Sequence, residues 1–268
     1  GYALKEASMY IKSKDNDKFK LTKSLLTTKY RNKEGKYIAE GQRTIELAIE
    51  YGASIEFVFV NERFYNDPSK GVLIASLKES THVYILDDSL FRQVVTTENS
   101  QGILAVINKK KMDSEDFNKN KHKKIVVVDR VQDPGNMGTI IRTADAAGFD
   151  LIICIKGTVD YYNPKVVRSA MGSMFYMDMM SLDNEEARDL LKVNDIDIVS
   201  SYLDTENYYD KVDYKENTAL VVGNEANGIS DFWIRQSDVL VKIPMFGKAE
   251  SLNVAVSSAL LMYKILGR

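Results

Sequence analysis

Apolar residues recur along this chain in two alternating patterns. Short runs rich in β-branched and aromatic residues, such as Ile55–Val60 and Leu151–Ile155, are typical of buried strands. Between such runs lie segments with apolar residues three or four positions apart, such as Gln42–Tyr51, which predict amphipathic helices. Regular alternation of strands and helices predicts an α/β fold.

The front of the chain predicts a small α/β unit over residues 21–108, preceded by a polar and charged stretch, residues 1–20, in which we predict no element. The predicted helices are Leu21–Tyr30, Gln42–Tyr51, Val72–Glu79 and Asp88–Gln93, and the predicted strands are Tyr37–Ala39, Ile55–Val60, His82–Leu86 and Gly102–Ile107. Residues 109–124 are almost wholly polar, so we interpret them as a basic linker or exposed loop. The first domain is therefore predicted to comprise residues 1–108.

The remaining residues, 125–268, predict a second domain. Its predicted strands are Ile125–Asp129, Leu151–Ile155, Ile196–Ser201, Ala219–Val222 and Val239–Lys242, with Met174–Met179 as a further candidate. Its predicted helices are Gly138–Ala147, Pro164–Met171, Asn184–Val193 and Leu252–Leu266. Several of the strands are apolar throughout, which favours a parallel sheet covered on both faces.

The net charge of −2 conceals an uneven distribution. Residues 1–36 hold ten Lys or Arg and four Asp or Glu, residues 109–124 hold seven and three, and residues 125–268 hold 14 and 21. A basic front favours a polyanionic partner such as RNA, although lysine-rich stretches are equally common as ordinary solvated surface.

Composition also argues against several classes of protein. The single cysteine, Cys154, lies in an apolar run and is typical of a core residue, so no disulfide framework is expected. The longest apolar runs fall far short of the roughly 20 residues of a membrane-spanning helix. His82 and His122 are far from other soft ligands, so we expect no metal site. These features predict a cytoplasmic protein without a membrane or metal partner.

One candidate for chemistry follows the strand Ile125–Asp129. The segment Asp129–Gly138 contains Gly135 and Asn136 and runs into a helix that carries Arg142 and Asp145. Glycines let the backbone approach a ligand closely, and the first N–H groups of a helix attract anions. The same pattern also fits an ordinary turn that begins a helix.

Two further segments follow strands of the second domain. Gly223–Gly228 comes directly after Ala219–Val222, and Ile243–Val254 joins a strand to the last helix. Because ligands bind beyond the carboxyl ends of parallel strands, Glu225 is a candidate site residue. Ser251 is a plausible helix cap, and Asn253 is placed in the first helical turn. Taken singly, each segment is equally compatible with a polar turn.

The three segments together, in this order, resemble the signature motifs of the SpoU (TrmH) family of RNA 2′-O-ribose methyltransferases, part of the SPOUT class. Asp133–Gly148 is similar to the first motif, Gly223–Ser230 to the second and Ser251–Val254 to the third, while Asn163–Gly172 resembles a recurring segment between the first two. The stretch from Tyr30 to Gly41 resembles the L30e-like substrate-binding domain that accompanies this catalytic domain.

The resemblance implies a parallel-sheet catalytic domain with a deep trefoil knot and a smaller L30e-like α/β domain before it. It also implies S-adenosylmethionine as cofactor, bound in the knotted loops. The residues expected to contact it are Ser200, Ser201, Val222, Gly223, Asn224, Glu225, Gly228, Ile243, Met245, Ser251 and Leu252. No dinucleotide-binding glycine motif is present, so a nucleotide-dependent enzyme of another α/β class is disfavoured.

The family's reaction is attack of a ribose 2′-oxygen on the cofactor's methyl carbon. The resemblance implies five catalytic positions: Arg142, Asn136, Glu225, Ser251 and Asn253. Family enzymes are proposed to use the Arg142 equivalent as base; because arginine side chains stay protonated, a role in binding phosphate or the developing alkoxide is at least as compatible.

The RNA partner is expected to be ribosomal, with 23S rRNA preferred. The residues predicted to bind it are Arg31, Lys33, Lys36, Arg142 and Arg168. The resemblance also implies a homodimer formed through the catalytic domain. The helix Leu252–Leu266 is one candidate surface, although its apolar residues are equally compatible with packing on its own sheet. Alternatives are a tRNA 2′-O-methyltransferase, a base-methylating SPOUT enzyme, and an inactive RNA-binding or ribosome-assembly protein.

Overall fold

The computed structural model describes residues 9–267, which form two compact units. The first unit comprises the chain up to Lys110 and the segment Asp160–Phe175. The second comprises Lys111–Val159 and the chain from Tyr176 onward. The boundary at Lys110 lies near the predicted one, but the segment 160–175 was expected within the second domain.

The described residues contain eleven strands and eleven α-helices. The strands are β1 (Tyr10–Ile11), β2 (Lys36–Glu40), β3 (Ile55–Val60), β4 (His82–Leu86), β5 (Ile103–Asn108), β6 (Lys124–Asp129), β7 (Leu151–Ile155), β8 (Asp178–Leu182), β9 (Asp197–Ser201), β10 (Thr218–Gly223) and β11 (Val239–Val241). The helices are α1 (Asp17–Ser24), α2 (Thr28–Glu34), α3 (Gln42–Glu50), α4 (Glu62–Asn66), α5 (Gly71–Ser80), α6 (Asp88–Phe91), α7 (Pro134–Ala146), α8 (Pro164–Ser169), α9 (Asn184–Val193), α10 (Asp231–Gln236) and α11 (Val254–Leu266).

The first unit is built on a mixed sheet in the order β1-β4-β3-β5-β2. Strand β4 runs parallel to β1 and β3, whereas β5 runs antiparallel to β3 and β2. Its core packs Ile38, Phe59 and Leu104, all fully buried, against the helical side chains of Phe19 and Phe91. These residues come from strands and helices distant in sequence, so burial of apolar surface closes the unit.

The segment Asp160–Phe175 completes this unit. The guanidinium of Arg31 donates through Nε to Asp160 Oδ2 at 2.8 Å, and the rings of Tyr37 and Tyr162 stack with centroids 4.6 Å apart. Burial raises the pKa of the Tyr162 hydroxyl to about 12, so it stays a neutral donor to the Lys110 carbonyl at 3.2 Å. A buried charge pair and a buried ring pair therefore hold the segment on the front sheet.

The second unit is built on six parallel strands in the order β11-β9-β10-β6-β7-β8. On one face Ala187, Leu191 and Trp233 pack against strand residues such as Ile125 and Ile153. Helix α11 packs against α7 and β10. The strands are apolar throughout because they are buried. The predicted α/β class with a parallel sheet is confirmed.

Four element predictions require correction. Residues 1–20 contain β1 and the start of α1, whose first turn is capped by the Asn16 side chain at Lys18 N and Phe19 N. The single helix predicted over Leu21–Tyr30 is two helices, α1 and α2. The strand predicted over Met174–Met179 lies later, at Asp178–Leu182, because Asp178 is the residue that pairs with Leu151. Helices α4 and α10 were not predicted.

The polar segment 109–124 is mostly an exposed loop, but three side chains anchor it to the second unit. Met112 and Phe117 pack against the core, and His122 is buried. His122 Nδ1 accepts from Asn118 N at 3.0 Å, and Nε2 lies 2.8 Å from Asp178 Oδ2. This segment is therefore folded onto the sheet rather than acting as a free linker. None of the helices in residues 9–267 is both long and apolar enough to cross a membrane.

Candidate cofactor and active site

The carboxyl ends of three neighbouring strands, β11, β9 and β10, border a cavity of about 330 Å³, which we call the strand-end cavity. Its walls come from residues that end or follow these strands and from the start of α11. Parallel strands place all their carboxyl ends at one edge of the sheet, so three segments far apart in sequence meet there.

Nine of the eleven residues predicted to contact the cofactor line this cavity: Ser201, Gly223, Asn224, Glu225, Gly228, Ile243, Met245, Ser251 and Leu252. The other two, Ser200 and Val222, do not line it, because they are buried within their strands. Ser200 Oγ instead accepts a hydrogen bond from Ser237 at 2.6 Å. Ser200 and Val222 each lie one residue before a residue that lines the cavity.

Sequence reasoning missed several lining residues, among them Tyr202, Leu203, Lys242, Val254 and Ser257. Tyr202 and Leu203 directly follow β9, and Lys242 directly follows β11. The strand-end rule, applied to every strand rather than to the motifs alone, would have found these three. Ser257 gave no signal, because it lies one turn inside α11.

The second motif forms a tight hairpin at the cavity wall. Asn224 and Gly228 exchange both backbone hydrogen bonds at 2.9 Å, and the Asn224 side chain accepts from Ala226 N and Asn227 N. Gly228 has a φ of +67°, a conformation that glycine adopts without strain. A Cβ on Gly223 would overlap the backbone of Gly228 and Ile229, so the hairpin closes only over a glycine.

The end of β6 ties this hairpin to the first motif. Asp129 is fully buried, and its carboxylate accepts from Ser230 N at 2.6 Å and from Arg130 Nε at 3.1 Å. Arg130 adopts a φ of +67°, and its carbonyl accepts from the Asn224 side chain at 2.8 Å. Asp129 and Arg130 begin the first candidate segment, but the sequence gave neither of them a role, and neither lines the cavity.

Glu225 links the second motif to the first. Its carboxylate accepts from Gln132 N at 2.8 Å and from Asp133 N at 3.1 Å, while the residue also lines the cavity. Hydrogen bonds to an ionised acceptor are about twice as strong as neutral ones. The geometry therefore gives Glu225 a bracing role in the loop before α7.

The starts of α7 and α11 are joined by two asparagines. Asn253 Nδ2 donates to Asn136 Oδ1 at 3.0 Å, and Asn253 Oδ1 accepts from Ala255 N at 2.8 Å and Val256 N at 3.3 Å. Asn253 is therefore the cap of α11, and the prediction of Ser251 as the cap was wrong. Ser251 is left exposed at the cavity wall.

Arg142 lies on α7 and is exposed. It does not line the strand-end cavity, and neither do Asn136 and Asn253. In the part of the chain that the structure describes, no carboxylate forms an ion pair with Arg142. An exposed, unneutralised guanidinium is suited to bind a phosphate from a ligand.

The predicted RNA-binding residues of the first unit have different surroundings. Arg31 is buried, and its guanidinium donates hydrogen bonds to Asp160, the Leu25 carbonyl and Thr28. The guanidinium is therefore not available to RNA, and the prediction of Arg31 as an RNA contact was wrong. Lys36 bonds Asn108 Oδ1 at 2.6 Å, with Glu56 at 3.7 Å. Lys33 is exposed, with its ammonium 5.7 Å from the ring centre of Tyr30. Arg168 is half-buried and donates to Thr96 Oγ1 at 2.9 Å.

The strand-end cavity fits an adenosine-containing cofactor. Its volume lies at the lower end of the range for small-molecule sites, about 300–1,000 Å³. Leu203, Ile243 and Leu252 offer apolar contact for a base, and Gly223 and Gly228 leave the backbone bare for close approach. Within residues 9–267, no cluster of His, Cys, Asp and Glu is suited to a metal ion.

Comparison with known proteins agrees with this geometry. Residues 123–263 match the SpoU rRNA methylase family, and residues 16–105 match the MRM3-like substrate binding domain. The 23S rRNA (guanosine(2553)-2′-O)-methyltransferase RlmP of Bacillus subtilis is 34% identical over 259 residues, covering 96% of this chain and 99% of the relative. The 23S rRNA (uridine(2479)-2′-O)-methyltransferase of Streptomyces viridochromogenes is 29% identical, covering 93% of this chain and 89% of the relative.

A solved structure is also similar. The SpoU methyltransferase AviRb from Streptomyces viridochromogenes, in complex with the cofactor AdoMet, has a TM-score of 0.86 and 27% identity, covering 94% of this chain and 97% of that chain. The family match spans more than half of the chain, and the Bacillus relative spans nearly all of it. The chain therefore belongs to the SpoU rRNA methylase family and is an RNA methyltransferase.

Proposed function

We propose that this chain transfers a methyl group from S-adenosylmethionine to a ribose 2′-hydroxyl in 23S rRNA. The observation that carries this proposal is the strand-end cavity, which the second and third motifs line and to which Glu225 and the Asn136–Asn253 pair join the first motif. The relative from Bacillus subtilis supports the choice of RNA, since it is named for 2′-O-methylation of 23S rRNA and matches this chain over nearly its whole length.

The chain's own residues bind and orient the reactants. Bound S-adenosylmethionine supplies an electrophilic methyl carbon on a positively charged sulfur. The cavity would hold this donor. As the ribose 2′-oxygen bonds to the methyl carbon, the carbon–sulfur bond would break, S-adenosylhomocysteine would leave and the hydroxyl proton would pass to water. Arg142 would bind an RNA phosphate or the oxyanion that develops at the 2′-oxygen. Because arginine stays protonated, Arg142 acts by charge rather than as the base. Holding both reactants at attack distance supplies much of the rate.

Glu225, Asn136 and Asn253 act as positioning residues in this proposal. Glu225 fixes the loop before α7 through two backbone N–H groups, and the asparagine pair fixes the starts of α7 and α11. Arg142 is carried by α7, so these bonds control where its guanidinium lies. Ser251 completes the cavity wall.

We further propose that this chain forms a homodimer. Helices α7 and α11 present an open apolar groove of about 410 Å³ whose floor includes Thr139, Val256, Leu260 and Tyr263. The last three side chains are apolar or aromatic and 42–50% exposed, which is unusual on a helix of a monomer. Arg142 lies one turn after Thr139 on α7, so a second copy bound in this groove would lie beside Arg142.

The dimer is tested by Leu260→Glu, with Lys264→Glu on the same helix as control. Light scattering at micromolar concentration should give a dimer for the parent protein and the control and a monomer for Leu260→Glu. A monomeric parent protein contradicts this part of the proposal.

We also propose a knotted C-terminal segment and a cytoplasmic location. The C-terminal segment is expected to form the trefoil knot typical of the family. A cytoplasmic location follows from the choice of a bacterial-type rRNA as substrate.

The decisive experiment is radiolabelled methyl transfer to total unmodified RNA, followed by nuclease mapping. We expect label at one 2′-oxygen in 23S rRNA. Label in tRNA or on a base would favour the alternative enzymes. Absence of transfer together with absence of cofactor binding would favour a catalytically inactive RNA-binding protein.

A further inference from the structure

The first unit contains a cavity of its own, of about 230 Å³. The start of α3, the loop before β5 and the end of the segment 160–175 border it, contributing Gly41 and Arg43, Thr97 and Gln101, and Arg168 and Met171 respectively. We call it the arginine cavity. None of the motifs that define the strand-end cavity contributes to it.

A relay of three side chains fixes one arginine at this cavity. Glu40 is buried, 4% exposed, and its carboxylate accepts from Thr96 N at 2.9 Å, Thr96 Oγ1 at 2.8 Å and Thr97 Oγ1 at 2.7 Å. The Thr96 hydroxyl therefore turns its lone pairs away from Glu40, and Arg168 Nη1 donates to it at 2.9 Å. The Arg168 guanidinium is oriented by a neutral hydroxyl, and no carboxylate of the described residues pairs with it.

A second arginine adds to the positive charge. The Arg43 side chain is 64% exposed, and its ion pair with Glu46 is long, 3.8 Å, and lies on the helix surface. Such a pair holds the arginine weakly. Lys70 bonds the side chain of Gln42, next to Arg43, with Nζ–Oε1 at 2.6 Å. Glu40 also lines the cavity, but its carboxylate already accepts hydrogen bonds from Thr96 and Thr97, so the two arginines leave the wall with a net positive charge.

The walls are rigid. Gln101 Oε1 accepts from Gln42 N at 2.7 Å, which joins the loop to the start of α3. A Cβ on Gly172 would overlap the side chain of Leu47, so the turn after α8 is packed tightly on α3. The two arginines consequently project from segments that are fixed before any ligand binds, which lowers the ordering cost of binding.

We propose that the arginine cavity binds one phosphate of the RNA substrate, together with its unpaired nucleotide, between the guanidiniums of Arg43 and Arg168. Planar guanidiniums bind phosphate oxygens through paired hydrogen bonds. A cavity of this size admits one nucleotide rather than a duplex, and unpaired nucleotides are the usual targets of specific RNA recognition. This inference rests on the proposed function, since it takes RNA as the substrate.

The test compares Arg43→Ala, Arg168→Gln and the control Arg63→Ala, an exposed arginine of the same unit that does not border the cavity. The probe is an unmodified 23S rRNA transcript, bound in a fluorescence anisotropy titration over a series of salt concentrations. We expect each cavity variant to bind about tenfold more weakly. The slope of log affinity against log salt should become shallower by about 0.7 for each lost phosphate contact. Arg63→Ala should match the parent protein.

Cofactor affinity and thermal unfolding are measured on the same samples. Arg43 is largely exposed, so Arg43→Ala remains informative even if Arg168→Gln fails to fold. Parent-like affinity and slope in Arg43→Ala would overturn the proposal, and so would an equal loss in Arg63→Ala, which would indicate general attraction. If the parent protein methylates RNA and the cavity variants bind RNA as the parent does, only the phosphate site in the arginine cavity is contradicted. If the parent protein methylates no RNA, the proposed function itself is contradicted.

Discussion

The strand-end cavity and the arginine cavity obtain their chemistry from different parts of the chain. The strand-end cavity is shaped by the backbone of a glycine hairpin and of the start of α11, together with apolar side chains such as Leu252. The arginine cavity is shaped by two charged side chains and a threonine that orients one of them. A backbone-built site should depend on steric fit, whereas a side-chain site should depend on charge and salt.

The largest effect is expected from Arg142→Ala. Loss of a group that stabilises developing charge costs about 10²–10³-fold in turnover. Because Arg142 does not line the strand-end cavity, cofactor affinity should be unchanged. Single-turnover methyl transfer and calorimetric titration with S-adenosylmethionine measure the two quantities, with the exposed Arg235→Ala as control. Near-normal turnover in Arg142→Ala would show that Arg142 does not take part in the reaction.

Gly223→Ala tests the steric fit of the strand-end cavity. The added Cβ would overlap the backbone of Gly228 and Ile229, so the hairpin must open. We expect cofactor affinity to fall about 100-fold and stability to fall by about 3 kcal/mol, as for other substitutions that overpack a buried site. Gly247→Ala, which meets no atom within 4 Å, is the matched control. Equal cofactor affinity in the two variants would show that the hairpin does not shape the site.

Salt sharpens the contrast between the cavities. Raising the salt concentration from 50 to 200 mM should lower RNA affinity about tenfold or more, because each phosphate contact displaces condensed counterions. Cofactor affinity should change less than twofold, since most of the residues that line that cavity are uncharged. Parallel titrations of RNA and S-adenosylmethionine measure both. A flat response for RNA would contradict the electrostatic role of the first unit.

The smallest effect is expected from Glu225→Gln. The substitution keeps one oxygen acceptor but removes the charge that strengthens the bonds to Gln132 N and Asp133 N. We expect a loss of about 1 kcal/mol of stability and a severalfold lower kcat with little change in KM for RNA. Denaturant unfolding and steady-state kinetics measure these, with the exposed Glu206→Gln as control. An unchanged kcat would leave Glu225 as a structural brace only.

Prediction from sequence succeeded where local pattern and tertiary environment agree. Continuous apolar runs such as Ile125–Asp129 and Leu151–Ile155 became β6 and β7 almost residue for residue. The short helices α4 and α10 were not predicted, since five or six residues carry too little periodicity to indicate a helix. Trp233 in α10 is fully buried, but the residues next to it in the sequence show no pattern that predicts its burial.

Sequence patterns were enough to predict the α/β class, the family and most of the residues that line the strand-end cavity, because segments that follow parallel strands meet at one edge of a sheet. Only the folded structure shows which charged side chains are paired and buried and which are left available to a ligand. Arg31 and Arg168 are both arginines predicted to bind RNA, yet Asp160 neutralises the first while Thr96 leaves the charge of the second exposed to a ligand. Whether a charge is buried and paired depends on residues over 70 positions away, which no local pattern records.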